Sequence, residues 1–379
     1  MNKEKEIRSF VFAANDKENV EVIVNSLANL AAASAYKEYN SYGVIEKVEL
    51  NNYQEENEKV KKAILGFAAK KAGFEIPTTV NELAFCMDNQ IFKSVMNTIN
   101  AMAIGQMMNT YSSPQLDGLT QIENVQVGDS KTYEIETKSL PIAQKATYGS
   151  NVTMVPSYVK GSVTVTPKPY SLGVSLDFVR ILANGYDWGK AVARVYAGMV
   201  LAQYKLAVNK LFDTNVLNGT PLYQANFTPS TYVQLASDVG MLNGGSTEDV
   251  TAYGTRVAWN NISALATQGG FTTKDDYIRN AYLQKIYGVD SMILDQIPNL
   301  AAPFTIANAA QIRTIPDNLI ILAPNGGDKL IKLVRESYVR VIETPANENN
   351  LNRLEYSYFQ QFDAALATAS YFGIQGTQA

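Results

Sequence analysis

Five places in this chain carry residues capable of chemistry or modification. Asn325-Gly326-Gly327-Asp328-Lys329-Leu330 sets glycines and a lysine behind an apolar run, the ingredients of a phosphate cradle. It lacks the spacing of a phosphate-binding loop and the Ser or Thr that would reach a magnesium ion, so it reads as the turn that starts a helix bearing Leu330, Ile331 and Val334. Asp275 and Asp276 could form an acid/base or metal pair. Adjacent side chains on a helix diverge, however, and acids in a first turn suit the positive end of the helix dipole, so these two read as capping residues. Cys86 is the one cysteine, with no partner for an intrachain disulfide, and its neighbours Leu83, Phe85 and Met87 make it a buried, inert thiol. Asn151-Val152-Thr153 and Asn226-Phe227-Thr228 match the glycosylation sequon. The N-terminal MNKEKEIRSF has no apolar signal core, and the expectation is that neither site meets the glycosylation machinery.

The 379 residues include no histidine. That removes Ser-His and Cys-His nucleophiles, imidazole proton shuttles and the commonest metal ligand. No catalytic, cofactor-binding or metal-binding residue is expected. With 32 Lys and Arg against 36 Asp and Glu, the net charge of −4 gives no general attraction to phosphate or anionic lipid, which argues against a dedicated nucleic-acid reader. A composition 46% hydrophobic and 18% charged is that of a folded chain with material for one large or two to three ordinary domains. No apolar run approaches the ~18 residues of a membrane span, and a cytoplasmic protein is expected. The 22 tyrosines, many in irregular stretches, suit protein interfaces as well as cores, because Tyr buries area while keeping a polar tip.

Ser175 to Gly219 reads as the long helical stretch that organises the chain. Asp187 is the expected N-cap, and Trp188, Val192, Val195, Tyr196, Met199 and Leu206 fall at three- and four-residue steps, with Lys190, Arg194 and Lys210 on another side. Residues 15 to 39 form a helix with Val20, Ile23, Val24, Leu27, Leu30 and Ala31 on one face. Residues 53 to 72 form a charge-rich second helix closed by Gly73. Thr79 with Glu82 is a capping box, and Met87, Ile91, Val95 and Ile99 carry one helix from 80 to 109.

After Pro114 the period becomes two. Val125 and Val127 lead to a turn at Gly128-Asp129, then Tyr133 and Ile135 alternate with Glu134 and Glu136. Val163 and Val165 alternate again, and Pro167 and Pro169 are expected to stop the pairing. The two halves predict a long two-stranded arm containing Tyr133, Lys138, Pro141, Lys145, Tyr148 and Tyr158. A hairpin of that length buries too little to be stable alone, so it must lie on its own domain or on a neighbouring subunit. Residues 219 to 245 read as loop. Thr251 is expected to cap a helix carrying Val257, Trp259, Ile262 and Leu265, followed by a helix from Asp275 to Tyr287 and strands at 291–294 and 318–323. Alternating strands at 338–343 and 354–362 close the chain.

This order of parts, with GDSKTYEIE opening the hairpin and VTVTPKPYSLGVSLDF leaving it, resembles the major capsid protein of tailed double-stranded DNA bacteriophages, the Hong Kong 97-type fold. The resemblance implies an α+β chain divided into an N-terminal helical arm or scaffold-like segment (1–76), an N-arm helix and the start of a peripheral domain (77–128), an extended loop (129–172), a peripheral domain with the spine helix (173–249), an α/β axial domain (250–335) and a return to the peripheral domain (336–379). It implies a non-enzymatic head protein that assembles with itself through hexamers and pentamers into an icosahedral shell. That shell would enclose double-stranded DNA without reading its sequence, with scaffold, portal and decoration proteins as further partners. In such families the leading segment is either removed by a maturation protease or kept as an arm. Some members also cross-link Lys to Asn between subunits, but Lys138 and Lys145 sit in no matching motif. The alternatives are an encapsulin-type nanocompartment shell, another virion protein such as a tail or decoration protein, and an α/β enzyme.

Overall fold

Two helices open the chain, and their apolar stripes seat them on a third. In the computed structural model, which describes residues 17–39, 44–111, 113–136, 159–177, 187–212, 222–267, 285–297, 313–326, 328–344 and 353–378, these are α1 (Lys17–Tyr39) and α2 (Tyr53–Ala72). Val20, Val24, Leu27, Leu30 and Ala31 of α1 and Val60, Ile64 and Leu65 of α2 are buried in the main core, as their spacing predicts. Gly73 closes α2 at φ 77°, a left-handed turn that costs glycine nothing. Then come α3 (Val80–Asp88), α4 (Gln90–Thr110) and the short α5 (Pro114–Leu119). The long helix α6 runs from Trp188 to Leu211, with α1 packed along it. It is buried on more sides than one stripe would require, since Ala193, Ala197, Val200 and Ala207 are covered as well.

The first sheet contains β1 (Thr120–Val125), β4 (Lys168–Asp177), β10 (Ile331–Glu336), β11 (Arg340–Thr344) and β12 (Arg353–Leu366). The 14-residue β12 is its centre. One edge of β12 pairs antiparallel with β10 and then with β11, and the other edge pairs antiparallel with all of β4, from Lys168↔Phe362 to Asp177↔Arg353. β1 extends the sheet in parallel beside β10. Helices α4 and α6 cover one face.

A separate two-stranded ladder, β2 (Lys131–Glu136) with β3 (Val159–Val165), sits against the other face. The second sheet has the order β5-β13-β9-β6-β8-β7, formed from Tyr223–Asn226, Gly373–Gln378, Leu319–Pro324, Val250–Gly254, Val289–Ile293 and Lys285–Ile286. Helices α7 (Pro229–Leu242) and α8 (Arg256–Thr267) pack on it through Tyr232, Leu235, Val239, Trp259 and Ile262. The chain is thus α+β, as expected.

Several local expectations are overturned, each for an identifiable reason. Residues 175–177 end strand β4 and do not begin the long helix. The helix expected over 80–109 breaks at Asn89, an extended residue whose side chain accepts from the amides of Ile91 and Phe92 and so starts α4 afresh. The break leaves Ile91 exposed. The pairing of β3 with β2 does end at Val165, before Pro167, but Pro169 itself sits within β4, which among the described residues pairs with β12 alone. The stretch 219–245, read as loop, contains β5 and α7. Pro229 is the first-turn proline of α7, with Thr228 and Thr231 as its capping box.

Thr251 lies in strand β6, and the side chain that caps α8 is Thr255, four residues on, accepting from Ala258 N at 3.2 Å. Leu330 to Val334, expected as a helix, leads into strand β10. Most of the helix expected at 275–287 lies outside the described residues.

Candidate subunit-contact surface

The root of the arm is built by strand β10, whose six residues are all buried. Ile331, Leu333 and Arg335 point to the helices, while Lys332, Val334 and Glu336 point to the β2–β3 ladder. On that side Tyr133 and Val165 pack with Val334 and Ala367. The Lys332 ammonium lies 5.8 Å from the centre of the Tyr133 ring, donates to Gln121 Oε1 at 2.6 Å and pairs with Asp328. The Glu336 carboxylate accepts from the amide of Gly128 at 3.0 Å, in the turn where φ is 85°. Lys131 pairs with Glu123 at 3.1 Å. The ladder thus starts from a fixed seat, with burial pushing the Tyr133 hydroxyl well above its ordinary pKa. Lys138, Pro141, Lys145, Tyr148 and Tyr158, the other expected arm residues, lie outside the described residues.

The expected spine residues gather at one place. Asp187 caps α6, accepting from Lys190 N at 2.8 Å and from the Tyr53 hydroxyl at 2.6 Å. Trp188 donates its backbone amide to Asn57 Oδ1 at 3.0 Å and its indole N–H to Asn100 Oδ1 at 2.9 Å. Lys190 pairs with Glu38 at 3.0 Å, and the Tyr196 hydroxyl donates to Val44 O at 3.3 Å. Val192, Val195 and Met199 are buried, and Leu206 is half-buried against the same core. Gly189 has no room for a side chain, since a Cβ there would lie 2.6 Å from the Tyr53 hydroxyl and 2.7 Å from Leu30 Cγ. These contacts fix the start of α6 to the leading helices.

Sequence reasoning missed the polar network beneath. Arg335 is buried and has no carboxylate within ion-pair distance among the described residues. Its Nε donates to Asn124 Oδ1 at 2.8 Å, its terminal nitrogens to Gln203 Oε1 at 3.4 Å and to the carbonyl of Met108. Met108 belongs to the last turn of α4, so the guanidinium satisfies a free helix-terminal carbonyl at the negative end of the dipole. Burial pulls the Arg335 pKa below its ordinary value. Gln203 donates to Gln360 Oε1 at 3.0 Å, and Gln360 to the carbonyl of Glu336 at 3.1 Å. The charged residues inside an apolar stretch, Lys332, Arg335 and Glu336, were the available signal.

Cys86 is buried, and burial raises its thiol pKa, the condition of an unreactive cysteine. Among the described residues no group of three or more His, Cys, Asp and Glu side chains is placed to hold a metal ion, and no helix is long and apolar enough to cross a membrane. The cavity beside Arg335, about 250 Å³, is lined by Met108, Tyr111, Ser113, Asp117, Asn124 and Tyr196 among others.

At the second sheet, Asp317 accepts from Thr255 Oγ1 at 2.6 Å and Gln296 Nε2 at 3.1 Å, and pairs with Arg313. Burial alone would raise its carboxyl, but the bonds from Thr255, Arg313 and Gln296 together hold it below the usual carboxylate range. A carboxyl with a depressed folded-state pKa adds stability above its unfolded value near ~4 and loses it as the pH falls through the folded value. Asp317→Asn is therefore expected to lower the melting temperature at pH 7, with the gap to the parent closing below about pH 4. A constant gap across that range in a thermal-melt series would contradict this.

The comparisons with known proteins bear on the same arrangement. The family model described as "SPbeta prophage-derived putative capsid protein YonB" matches residues 25–375. No curated protein matches the sequence. Among solved structures, the chain is similar to the capsid of a native GTA particle, at 12% identity over 71% of this chain and 91% of that one, with a TM-score of 0.48. The satellite phage P4 procapsid gives 10% identity over 81% and 93%, TM-score 0.47, and the SrpI encapsulin complex from Synechococcus elongatus gives 13% over 71% and 89%, TM-score 0.43.

Proposed function

Because the chain belongs to the YonB family of prophage-derived capsid proteins, we propose that it is the major head protein of a phage, closing through hexamers and pentamers into an icosahedral shell around double-stranded DNA. The family match over residues 25–375 carries this reading. Physical features support it. A two-stranded arm with a buried root and too little surface to bury alone calls for a partner surface, and head-to-tail contacts between copies close into rings. The mildly acidic balance suits a container, because a strongly basic lining would grip the packaged polymer. The work of such a protein is mechanical and rests on many buried contacts between copies, with assembly in the bacterial cytoplasm and with scaffold, portal and decoration proteins as further partners. In this reading residues 129–172 are the extended loop and α6 is the spine helix, while the second sheet with α7 and α8, which takes in Tyr223–Asn226 and the returning Gly373–Gln378 and leaves β10 to the first sheet, is the axial part.

Deleting residues 141–160 is expected to leave a soluble, folded subunit that forms no regular shells. Negative-stain electron microscopy with size-exclusion chromatography and light scattering, on the parent and the deletion together, tests both statements. Closed shells from the parent, with DNA inside and no enclosed enzyme, are the expected result. Normal particles from the deletion would remove the arm from its assigned role.

A further inference from the structure

The connection after α2 and one side of α3 carry apolar groups that the described residues leave uncovered. Phe85 is 66% exposed and Ile76 56% exposed. The rings of Phe74 and Phe85 meet edge to face with centroids 5.6 Å apart, and Ile76 lies over Gly66, 3.4 Å from where a Cβ would stand. Ile91, exposed by the helix break at Asn89, continues the apolar character at the start of α4. The stretch from Ala72 to Phe92 contains Glu75, Glu82 and Asp88 and no Lys or Arg, and all three acids are exposed. Lys71, just before it, is engaged over the Phe67 ring at 5.7 Å. This surface is therefore apolar and acidic.

The chain contains one long segment of the opposite character. Residues 137–158 include Lys138 and Lys145, no Asp or Glu, and apolar groups at Leu140, Ile142, Tyr148, Val152, Met154, Val155 and Tyr158. The segment leaves and returns at one place, because Glu136 pairs with Val159. Doubled back on itself, it could reach at most about 35 Å from that root, enough to span to an adjacent copy.

We infer that the Phe74, Ile76 and Phe85 surface, with Glu75 and Asp88 at its border, receives residues 137–158 of a second copy of this chain. Two lysines meet two acids that have no ion-pair partner among the described residues, and the apolar side chains of the segment cover Ile76 and the exposed Phe85 ring. Glu82 is left out of the charge pairing because its carboxylate already accepts from the amides of Thr78 and Thr79. This inference rests on the shell reading and adds to it the identity of the receiving surface. It also accounts for the exposure of Phe85, which monomer packing leaves unexplained.

Two measurements test it. Subunits carrying Phe85→Cys and one affinity tag are co-assembled with subunits carrying Tyr148→Cys and another tag, then oxidised. The expected product is a dimer bearing both tags, with residues 85 and 148 in one disulfide-linked peptide by mass spectrometry. In parallel, Glu75→Lys with Asp88→Lys is expected to reduce particle yield at least tenfold, and adding Lys138→Glu with Lys145→Glu to restore it, while melting curves of the isolated subunits stay superimposable. Normal particles without the 85–148 link, or that link formed within a single chain, overturn the inference and leave the shell reading standing. Absence of particles from the parent protein even with its scaffold overturns the shell reading itself, and the inference falls with it.

Discussion

A chain beginning at Pro77 is expected to yield no soluble, cooperatively folding subunit. Removing the leader takes away Leu27, Leu30, Ile64 and Leu65 and bares Trp188 and Val192, all buried in the main core. At ~1.5–3 kcal/mol for each large side chain kept from water, the loss is about 10 kcal/mol or more. Whole domains are stable by only about 5–15 kcal/mol. The truncation also strips Asp187 of the Tyr53 hydroxyl and the Trp188 amide of its Asn57 acceptor. Expression trials with size-exclusion chromatography and circular dichroism melts give the answer, and a monodisperse truncated chain with a sharp melt would show the leader to be dispensable. The expectation extends to particles, where the subunit mass should still include α1 and α2. A protease that removed them would expose the apolar side of α6, so of the two fates the resemblance allowed for this segment, retention is the one the packing favours.

Arg335→Ala is the single substitution expected to cost most. It removes the donor to the Met108 carbonyl, to Gln203 and to Asn124, leaving the acceptors of the buried Met108 and Gln203 unpaired beside an enlarged cavity, while the exposed Asn124 can turn to water. Unpaired buried polar groups cost ~1–3 kcal/mol each and the void adds to them, so a loss of about 3–5 kcal/mol is expected. Arg335→Met leaves the same acceptors unpaired but fills much of the space, so it should cost less than the alanine variant by the part due to the void. Urea denaturation midpoints at fixed m-value measure both. A change under ~1 kcal/mol for the alanine variant would mean the guanidinium is not the keystone of this network.

What could be read from the residues alone depended on how each element meets water. Helices α1 and α2 were legible because one face is wet, so Leu27 and Ile64 recur at helical steps among polar neighbours. Strand β2 was legible for the same reason, with Tyr133 buried between exposed Thr132 and Glu134. Strand β10 was not legible. It is covered on both faces, its charged residues are buried, and Ile331 with Val334 imitates a helical step. The break at Asn89 was hidden because a capping side chain can restart a helix without any proline or glycine. Helix α7 lies in the stretch 219–245 that reads as loop, because a proline such as Pro229 looks like an interruption although it can equally begin a helix from its first turn.

The candidate site divides in the same way. Asp187 and Trp188 stood out by spacing, whereas their partners Tyr53, Asn57 and Asn100 lie far away in sequence and carry no local signal.

Strand β4 follows directly on β3, the returning strand of the arm, and runs ten residues along β12. In the shell proposed above, tension on the arm from a neighbouring copy would pass along the axis of β4. A strand pulled along its axis loads its cross-links in shear, all at once, where one lifted from its end would part them singly. Stacking of Tyr170 on Phe362, centroids 4.0 Å apart, and the Lys168–Asp363 pair at 3.0 Å lie at the end where that load enters. The joint between arm and body is thus a lap joint, whose strength grows with the length of the overlap.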